Sequence, residues 1–344
     1  MRTLSAALAV LAVAAAPARS APPVAGPGVE PGAPGVPGGF VARLTAPVRA
    51  ALAAGGAPAL VPPVPLAVTW RPVRLGAIEL GAALVAVRGA DLDGDGAGEL
   101  YAVTAREVIA LGLDGGKLKE LGRVPFEGPL AVLAPREPVG TAVVDAGALV
   151  AAASPWAREL RVTWDGTTLA ARAADAPFLV CPGERLALVP GRNHFGDVAA
   201  PVFGVRCRAD LVAADGRPLG IRGVQTGSVL TVTGEVCAPA TASRARACEP
   251  AFSQAYRDYG AVFEIADVDR DGTPEVLVTG AGAPGEPDAV KVISIGGDDK
   301  KGRFRKQFTG GVAGLAVLDA DGAPEVLALV RLVGATRVDV WRLN

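Results

Sequence analysis

The chain has 344 residues, enough for one large β domain or two ordinary ones, and half of its residues are hydrophobic. Its 34 basic and 35 acidic residues leave a formal net charge of -1. This balance argues against nucleic acid as a partner, because nucleic-acid binding needs a strongly basic surface.

Residues 1–20 have the pattern of a secretory signal. Arg2 supplies a positive charge, the run 4–16 is apolar, and Ala18 and Ser20 put small residues at the −3 and −1 positions of a cleavage site. The apolar run of about 13 residues is too short to cross a bilayer, which needs about 20. We therefore expect a secreted or periplasmic protein without a transmembrane segment. A buried N-terminal helix is the alternative.

Residues 21–65 are predicted to be a linker before a single domain at 66–344. The first part, 21–39, is rich in proline and glycine and cannot bury enough apolar surface to order itself. Between 40 and 54, apolar residues recur at spacings of 3, 4 and 4, interrupted by Pro47. These residues are Val41, Leu44, Val48 and Leu52. Such spacing indicates one face of a short amphipathic helix, with a disordered arm as the alternative.

Three acidic segments recur along the chain: loop 1 (residues 91–100), loop 2 (267–276) and a shortened loop 3 (319–326). In loops 1 and 2, acidic residues occupy positions 1, 3, 5 and 9, and glycine occupies position 6. Carboxylates this close repel each other unless a hard cation lies between them, and calcium takes about 6–8 oxygen ligands. The predicted calcium ligands are Asp91, Asp93, Asp95, Glu99 and the carbonyl of Ala97 in loop 1, and Asp267, Asp269, Asp271, Glu275 and the carbonyl of Thr273 in loop 2.

Loop 3 offers only Asp319, Asp321 and Glu325, because Val317 stands where the first aspartate would be. We expect weak ion binding there at most.

An EF-hand loop begins in the same way but is excluded. It requires a bidentate Glu at position 12, and that position is Ala102 in loop 1 and Val278 in loop 2. Short apolar runs rich in β-forming residues flank the loops, where an EF-hand would have helices. The repeated unit is therefore strand, acidic loop, strand.

The motif Asp-x-Asp-x-Asp-Gly-x-x-Asp/Glu between two strands resembles the calcium loop of FG-GAP or VCBS repeats, which build β-propellers such as the integrin α head. The resemblance covers residues 84–128 and 262–344. It implies one loop per blade, between the first two strands, with calcium bound for stability. Position 9 is Glu in this chain, where Asp is commoner in the family.

The predicted blades follow the chain from residue 84. The first blade has strands at 84–89, 100–104, 107–113 and 118–126, with an Asp-Gly-Gly turn before the last. Further blades are expected at about 130–175, 176–255, 256–310 and from 312. The second keeps an outer hairpin at 160–172, and the third has strands at 203–213 and 219–224, with the rest to 255 being an insertion or a partial blade. We predict an all-β fold, a β-propeller of five blades, with six or seven as alternatives.

The last segment, 337–344, looks like the third strand of a blade with no fourth strand after it. Residues 75–81 match 121–128, the fourth strand of the first blade, allowing one extra residue. An unpaired edge is a liability in a β protein. We therefore predict that residues 75–80 pair with 337–343, close the ring and bury Ile78 and Leu80. A separate N-terminal strand packed elsewhere is the alternative.

Four cysteines behind a signal sequence predict two disulfides. Cys237 and Cys248 bracket a polar loop and are natural hairpin partners, which leaves Cys181 for Cys207. Reduced cysteines are an alternative, and so is a metal site, although the usual Cys-x2-4-Cys spacing is absent.

No catalytic constellation is visible. The single histidine, His194, is expected to be a hydrogen-bonded turn or cleft residue, and neither a Gly-x-Ser-x-Gly elbow nor a phosphate loop occurs. The basic run 300–306 is interpreted as a solvated turn, or else as a patch for a small anionic ligand.

The sequence thus predicts a secreted, calcium-stabilised, monomeric propeller that acts as a binding module for a protein or polysaccharide. The alternatives are a polysaccharide-directed enzyme with its site at the central channel, and a structural envelope or matrix protein.

Overall fold

The computed structural model describes residues 69–126, 140–154, 157–174, 178–186, 204–212, 217–226, 228–237, 248–270, 273–283, 285–295, 302–320, 323–332 and 336–344. The predicted signal at 1–20, the linker and helix within 21–65, and His194 lie outside these residues. Nothing in the described part of the chain forms a helix long and apolar enough to cross a membrane.

The described residues form 22 β-strands and no helix. The strands are β1 Val73–Glu79, β2 Leu84–Ala90, β3 Glu99–Thr104, β4 Glu107–Asp114, β5 Lys117–Pro125, β6 Thr141–Asp145, β7 Ala148–Ala152, β8 Glu159–Trp164, β9 Leu169–Ala174, β10 Phe178–Cys181, β11 Glu184–Leu186, β12 Val205–Val212, β13 Pro218–Thr226, β14 Val229–Cys237, β15 Cys248–Arg257, β16 Tyr259–Ala266, β17 Glu275–Gly280, β18 Ala289–Ser294, β19 Phe304–Gln307, β20 Gly311–Ala320, β21 Ala323–Arg331 and β22 Arg337–Arg342.

Five four-stranded antiparallel sheets are the five blades of a β-propeller. Blade 1 is β2-β3-β4-β5, blade 2 is β6-β7-β8-β9, blade 3 is β12-β13-β14-β15, blade 4 is β16-β17-β18-β19, and blade 5 is β20-β21-β22-β1. The first-named strand of each blade contributes residues to the lining of a central cavity. The predicted all-β fold and the count of five blades are confirmed.

Blade 5 takes its outer strand from the N-terminal side of the chain, as predicted. β1 pairs antiparallel with β22, from Val73 opposite Arg342 to Glu79 opposite Arg337. Ile78 and Leu80 are buried, at 6% and 2% exposed. The ladder has a bulge between Arg74 and Gly76, and β5 has a matching bulge at Leu121.

Blade 3 is more complete than the sequence indicated. β14 and β15 extend the predicted pair to four strands, so residues 229–237 and 248–257 belong to a complete blade. The inserted element is instead the hairpin β10-β11, which lies between blades 2 and 3. The Thr141 hydroxyl of β6 donates to the Leu179 carbonyl of β10 at 2.7 Å, and Val180 packs with Val205 of β12.

Both predicted disulfides are present. Cys181 of β10 is bonded to Cys207 of β12, with Cα atoms 5.6 Å apart, so the bond ties the inserted hairpin to blade 3. Cys237 and Cys248 are opposite one another on β14 and β15, with Cα atoms 4.0 Å apart.

The hydrophobic core lies between neighbouring blades, and the middle strands are covered on both faces. Every residue of β3 is buried. Blades 1 and 5 approach closely at two glycines: a Cβ on Gly89 would lie 2.1 Å from the Val317 carbonyl oxygen, and one on Gly314 would lie 2.4 Å from Val87. Glycine is therefore needed at these positions for the inner strands to close around the centre.

Candidate functional site

The acidic loops 1 and 2 occupy the same place in blades 1 and 4. Eight residues, 91–98, separate β2 from β3, and eight, 267–274, separate β16 from β17. The fourth position has a positive φ in both loops, 78° at Gly94 and 61° at Arg270. The two loops therefore share a backbone turn at this position even though one has a side chain there.

Loop 1 brings three of its predicted ligands together. Asp91, Asp93 and Asp95 each offer a carboxylate oxygen, and these oxygens lie within 4.8 Å of one another. Oxygen ligands about 2.3–2.6 Å from a calcium ion would be separated by distances of this size, so the cluster fits such an ion.

Hydrogen bonds from backbone N–H groups to aspartate side chains stabilise the turn of loop 1. The two oxygens of Asp91 accept from the backbone N–H groups of Gly94 at 2.7 Å and Gly96 at 3.0 Å. Asp95 accepts from the N–H of Ala97 at 2.7 Å. Gly96 has a φ of 94°, which agrees with the prediction that the sixth position needs glycine for a sharp turn.

The fourth acidic residue of loop 1, Glu99, lies beneath the loop. Its Oε2 accepts from the Leu92 backbone N–H at 3.4 Å and from the Tyr101 hydroxyl at 3.0 Å. Burial raises the pKa of Glu99 to about 7, and burial also raises the pKa of Tyr101. Glu99 is outside the group of three converging oxygens, so it anchors the loop on the blade. Its role as a ligand, like that of the Ala97 carbonyl, stays a prediction.

Loop 2 gathers a different trio: Asp267, Asp269 and Glu275 have oxygens within 4.8 Å of one another. Glu275 is fully buried, and its Oε2 accepts from the Val268 N–H at 3.1 Å, as Glu99 does from Leu92. Burial raises the pKa of Glu275 to about 8. Asp271 lies outside the described residues, and the Thr273 carbonyl stays a predicted ligand.

A guanidinium already contacts the carboxylates of loop 2. Arg303, just before β19, places Nη1 against Asp269 Oδ2 and 3.0 Å from Glu275 Oε1, and its side chain is 9% exposed. The interpretation of residues 300–306 as a solvated turn is therefore wrong for Arg303. Nothing local in the sequence pairs Arg303 with Asp269, because 34 residues separate them.

Loop 3 has a different shape. The ladder between β20 and β21 continues to Ala320 opposite Ala323, so only residues 321 and 322 lie between the strands. Asp319 is a strand residue opposite Pro324, and Asp321 lies outside the described residues. Glu325 forms an ion pair with Arg342, Nη1 to Oε1 at 3.1 Å. The expectation that loop 3 binds an ion weakly at most stays a prediction.

The inner strands and β10 surround a central cavity of about 40 Å³. Among the described residues that line it, the only charged ones are Arg88 of β2 and Arg206 of β12. Arg206 Nε lies 3.7 Å from Glu264 Oε2, and Glu264 is 3% exposed. Arg88 and Arg206 were not predicted as a site, although an arginine inside the apolar run of β2 was a visible signal for Arg88.

No protein-family model matches the chain, and no curated protein matches it either. The resemblance to FG-GAP or VCBS repeats therefore rests on the acidic loops and their flanking strands alone.

Proposed function

We propose that this chain is an extracytoplasmic, calcium-stabilised β-propeller of the FG-GAP or VCBS type that acts as a monomeric binding module for a protein or polysaccharide. The observation that carries the proposal is the pair of acidic clusters at equivalent places in blades 1 and 4, each with three oxygens within 4.8 Å. Bound calcium would supply positive charge that offsets the repulsion among these carboxylates.

Loop 1 is the better calcium site of the two. No described cationic side chain pairs with Asp91, Asp93 or Asp95, whereas Arg303 already contacts two carboxylates of loop 2. A calcium ion in loop 2 would therefore compete with a resident guanidinium. We infer that loop 1 fills at lower calcium concentration than loop 2.

An extracytoplasmic location is supported by the two disulfides, since such bonds persist mainly in oxidising compartments. The signal-like residues 1–20 point the same way.

Binding is favoured over catalysis by the charges at the centre of the ring. An enzyme site needs groups that exchange protons near neutral pH, and arginine keeps its proton in proteins. The described charged lining of the cavity consists of Arg88 and Arg206, which suit recognition better than proton transfer. The loops at the two ends of a propeller supply the remaining recognition surface.

Thermal unfolding tests the calcium proposal. A ligand at 100 times its Kd stabilises the folded state by about 2.7 kcal/mol, so moving from chelator to millimolar calcium should raise the melting temperature. Asp93→Asn should lose most of the rise, because it removes one charge from the loop 1 cluster. Asp114→Asn, which changes an exposed aspartate at the β4–β5 turn, should keep the full rise. A wild-type melting curve that calcium does not change would contradict the proposal.

A further inference from the structure

Two arginines from non-adjacent blades line one small cavity. Arg88 belongs to blade 1 and Arg206 to blade 3, and both line the central cavity. Burial lowers the pKa of Arg206, the Glu264 carboxylate opposes that shift, and repulsion from Arg88 adds to it. Like charges held this way destabilise the fold unless something of opposite charge lies near both.

Among the described residues, an acidic partner lies near one of the two charges and none pairs with the other. Glu264 lies 3.7 Å from Arg206 Nε and is itself almost fully buried. Arg88 has no hydrogen bond or ion pair with any described residue, and its Nε is buried without a partner. The cavity therefore carries about one unit of positive charge that no described side chain neutralises.

The size of the cavity limits what can supply the missing charge. A water molecule needs a cavity volume of about 10–15 Å³. The central cavity, at about 40 Å³, therefore has room for roughly three water molecules. A small ion fits this space. Guanidinium groups bind planar or tetrahedral oxyanions through several parallel N–H bonds.

We propose that the central cavity binds a small oxyanion, a phosphate or a carboxylate, between Arg88 and Arg206. The Cys181–Cys207 disulfide fixes β12 beside β10 and so holds Arg206 in position, while the inner strand of blade 1 holds Arg88 on the other side of blade 2. This site is independent of calcium and of secretion, so a failed calcium experiment would leave it standing.

The experiment measures binding of inorganic phosphate, sulfate and acetate by isothermal titration, with sodium chloride keeping the ionic strength constant. Comparison of phosphate with acetate shows which class of oxyanion the cavity takes. The wild type should bind at least one of them saturably. Arg88→Met should weaken that binding roughly tenfold to a hundredfold, as expected for loss of hydrogen bonds to a charged group. Arg257→Met, which changes an exposed arginine on β15, should bind as the wild type does.

A second readout separates a ligand-binding arginine from a structural one. Without added oxyanion, Arg88→Met should melt at the wild-type temperature or above it, because an unpartnered buried donor and its repulsion with Arg206 are removed. A lower melting temperature would mean that the fold itself needs Arg88, and would overturn the proposal. Equal oxyanion affinity in Arg88→Met and wild type would overturn it too, as would stabilisation that follows ionic strength without saturating.

Discussion

Besides the different sets of converging carboxylates, one side chain outside the motif makes the two acidic loops differ. Arg303 contacts Asp269 and Glu275 in loop 2, while no described cation pairs with the three aspartates of loop 1. The same sequence motif therefore gives one cluster whose charge is partly neutralised by Arg303 and one that no described cation neutralises.

This difference predicts how Arg303→Met behaves. In chelator the substitution should lower the free energy of unfolding by about 3–5 kcal/mol, because it leaves buried carboxylates uncompensated. Calcium should reduce this loss of stability, since the ion can then take the place of the Arg303 guanidinium beside the carboxylates. Urea unfolding in chelator and in calcium measures both values. Arg305→Met, on the exposed side of β19, is the control, and equal stability of the two variants in chelator would contradict the prediction.

Residue spacing predicted part of these sites and missed the rest for a physical reason. The alternation of Asp91, Asp93 and Asp95 on a tight turn sets their convergence locally, so the sequence was sufficient. The contact of Arg303 with Glu275 depends on how two hairpins of blade 4 fold together. Likewise, the hydrogen bond from Tyr101 to Glu99 follows from the burial of β3, which loop spacing does not report.

The pairing of β1 with β22 is the structural element on which ring closure depends. A chain beginning at Ala82 lacks β1 and should melt lower than one beginning at residue 65. The expected loss includes burial of Ile78 and Leu80, worth roughly 1.5–3 kcal/mol each, together with the ladder between Val73 and Glu79. Thermal unfolding of the two chains checks this, and equal melting temperatures would show that the pairing of β1 with β22 adds nothing to stability.

Local signals explain some of the strands that were predicted and some that were missed. The match of 75–81 to 121–128 succeeded because both strands contain a bulge at a Leu-Gly pair, with Leu75 and Leu121 as the extra residues. The β6-β7 hairpin was missed because its turn is Ala146-Gly147, with Ala146 at a φ of 47° that alanine seldom adopts. β15 was missed because it is an exposed outer strand, lacks a regular apolar pattern and contains Pro250.

At the scale of the whole molecule, the two disulfides should contribute unequally to the free energy of unfolding. Cys181 and Cys207 are 26 residues apart and Cys237 and Cys248 are 11 apart, so the first bond closes the longer loop. The loop-entropy relation gives about 3.5 kcal/mol for the first and about 2.8 kcal/mol for the second. Cys181→Ala/Cys207→Ala should therefore be less stable in urea than Cys237→Ala/Cys248→Ala.

The first pair also joins the inserted hairpin to blade 3, so its removal should loosen the ring between blades 2 and 3 as well. Each double variant serves as the control for the other. The reverse order of stability, or no loss in either, would contradict the prediction.

A pulling force applied to the ends of the propeller would reach the seam between β1 and β22 first. Val73 lies opposite Arg342, so the two loaded strands leave the ladder at the same end. In this geometry the force acts on one hydrogen bond of the ladder at a time, so the bonds break in sequence from that end. The ring would open at blade 5 under a modest pull, while the other four blades, whose strands are joined by their own turns, stay folded.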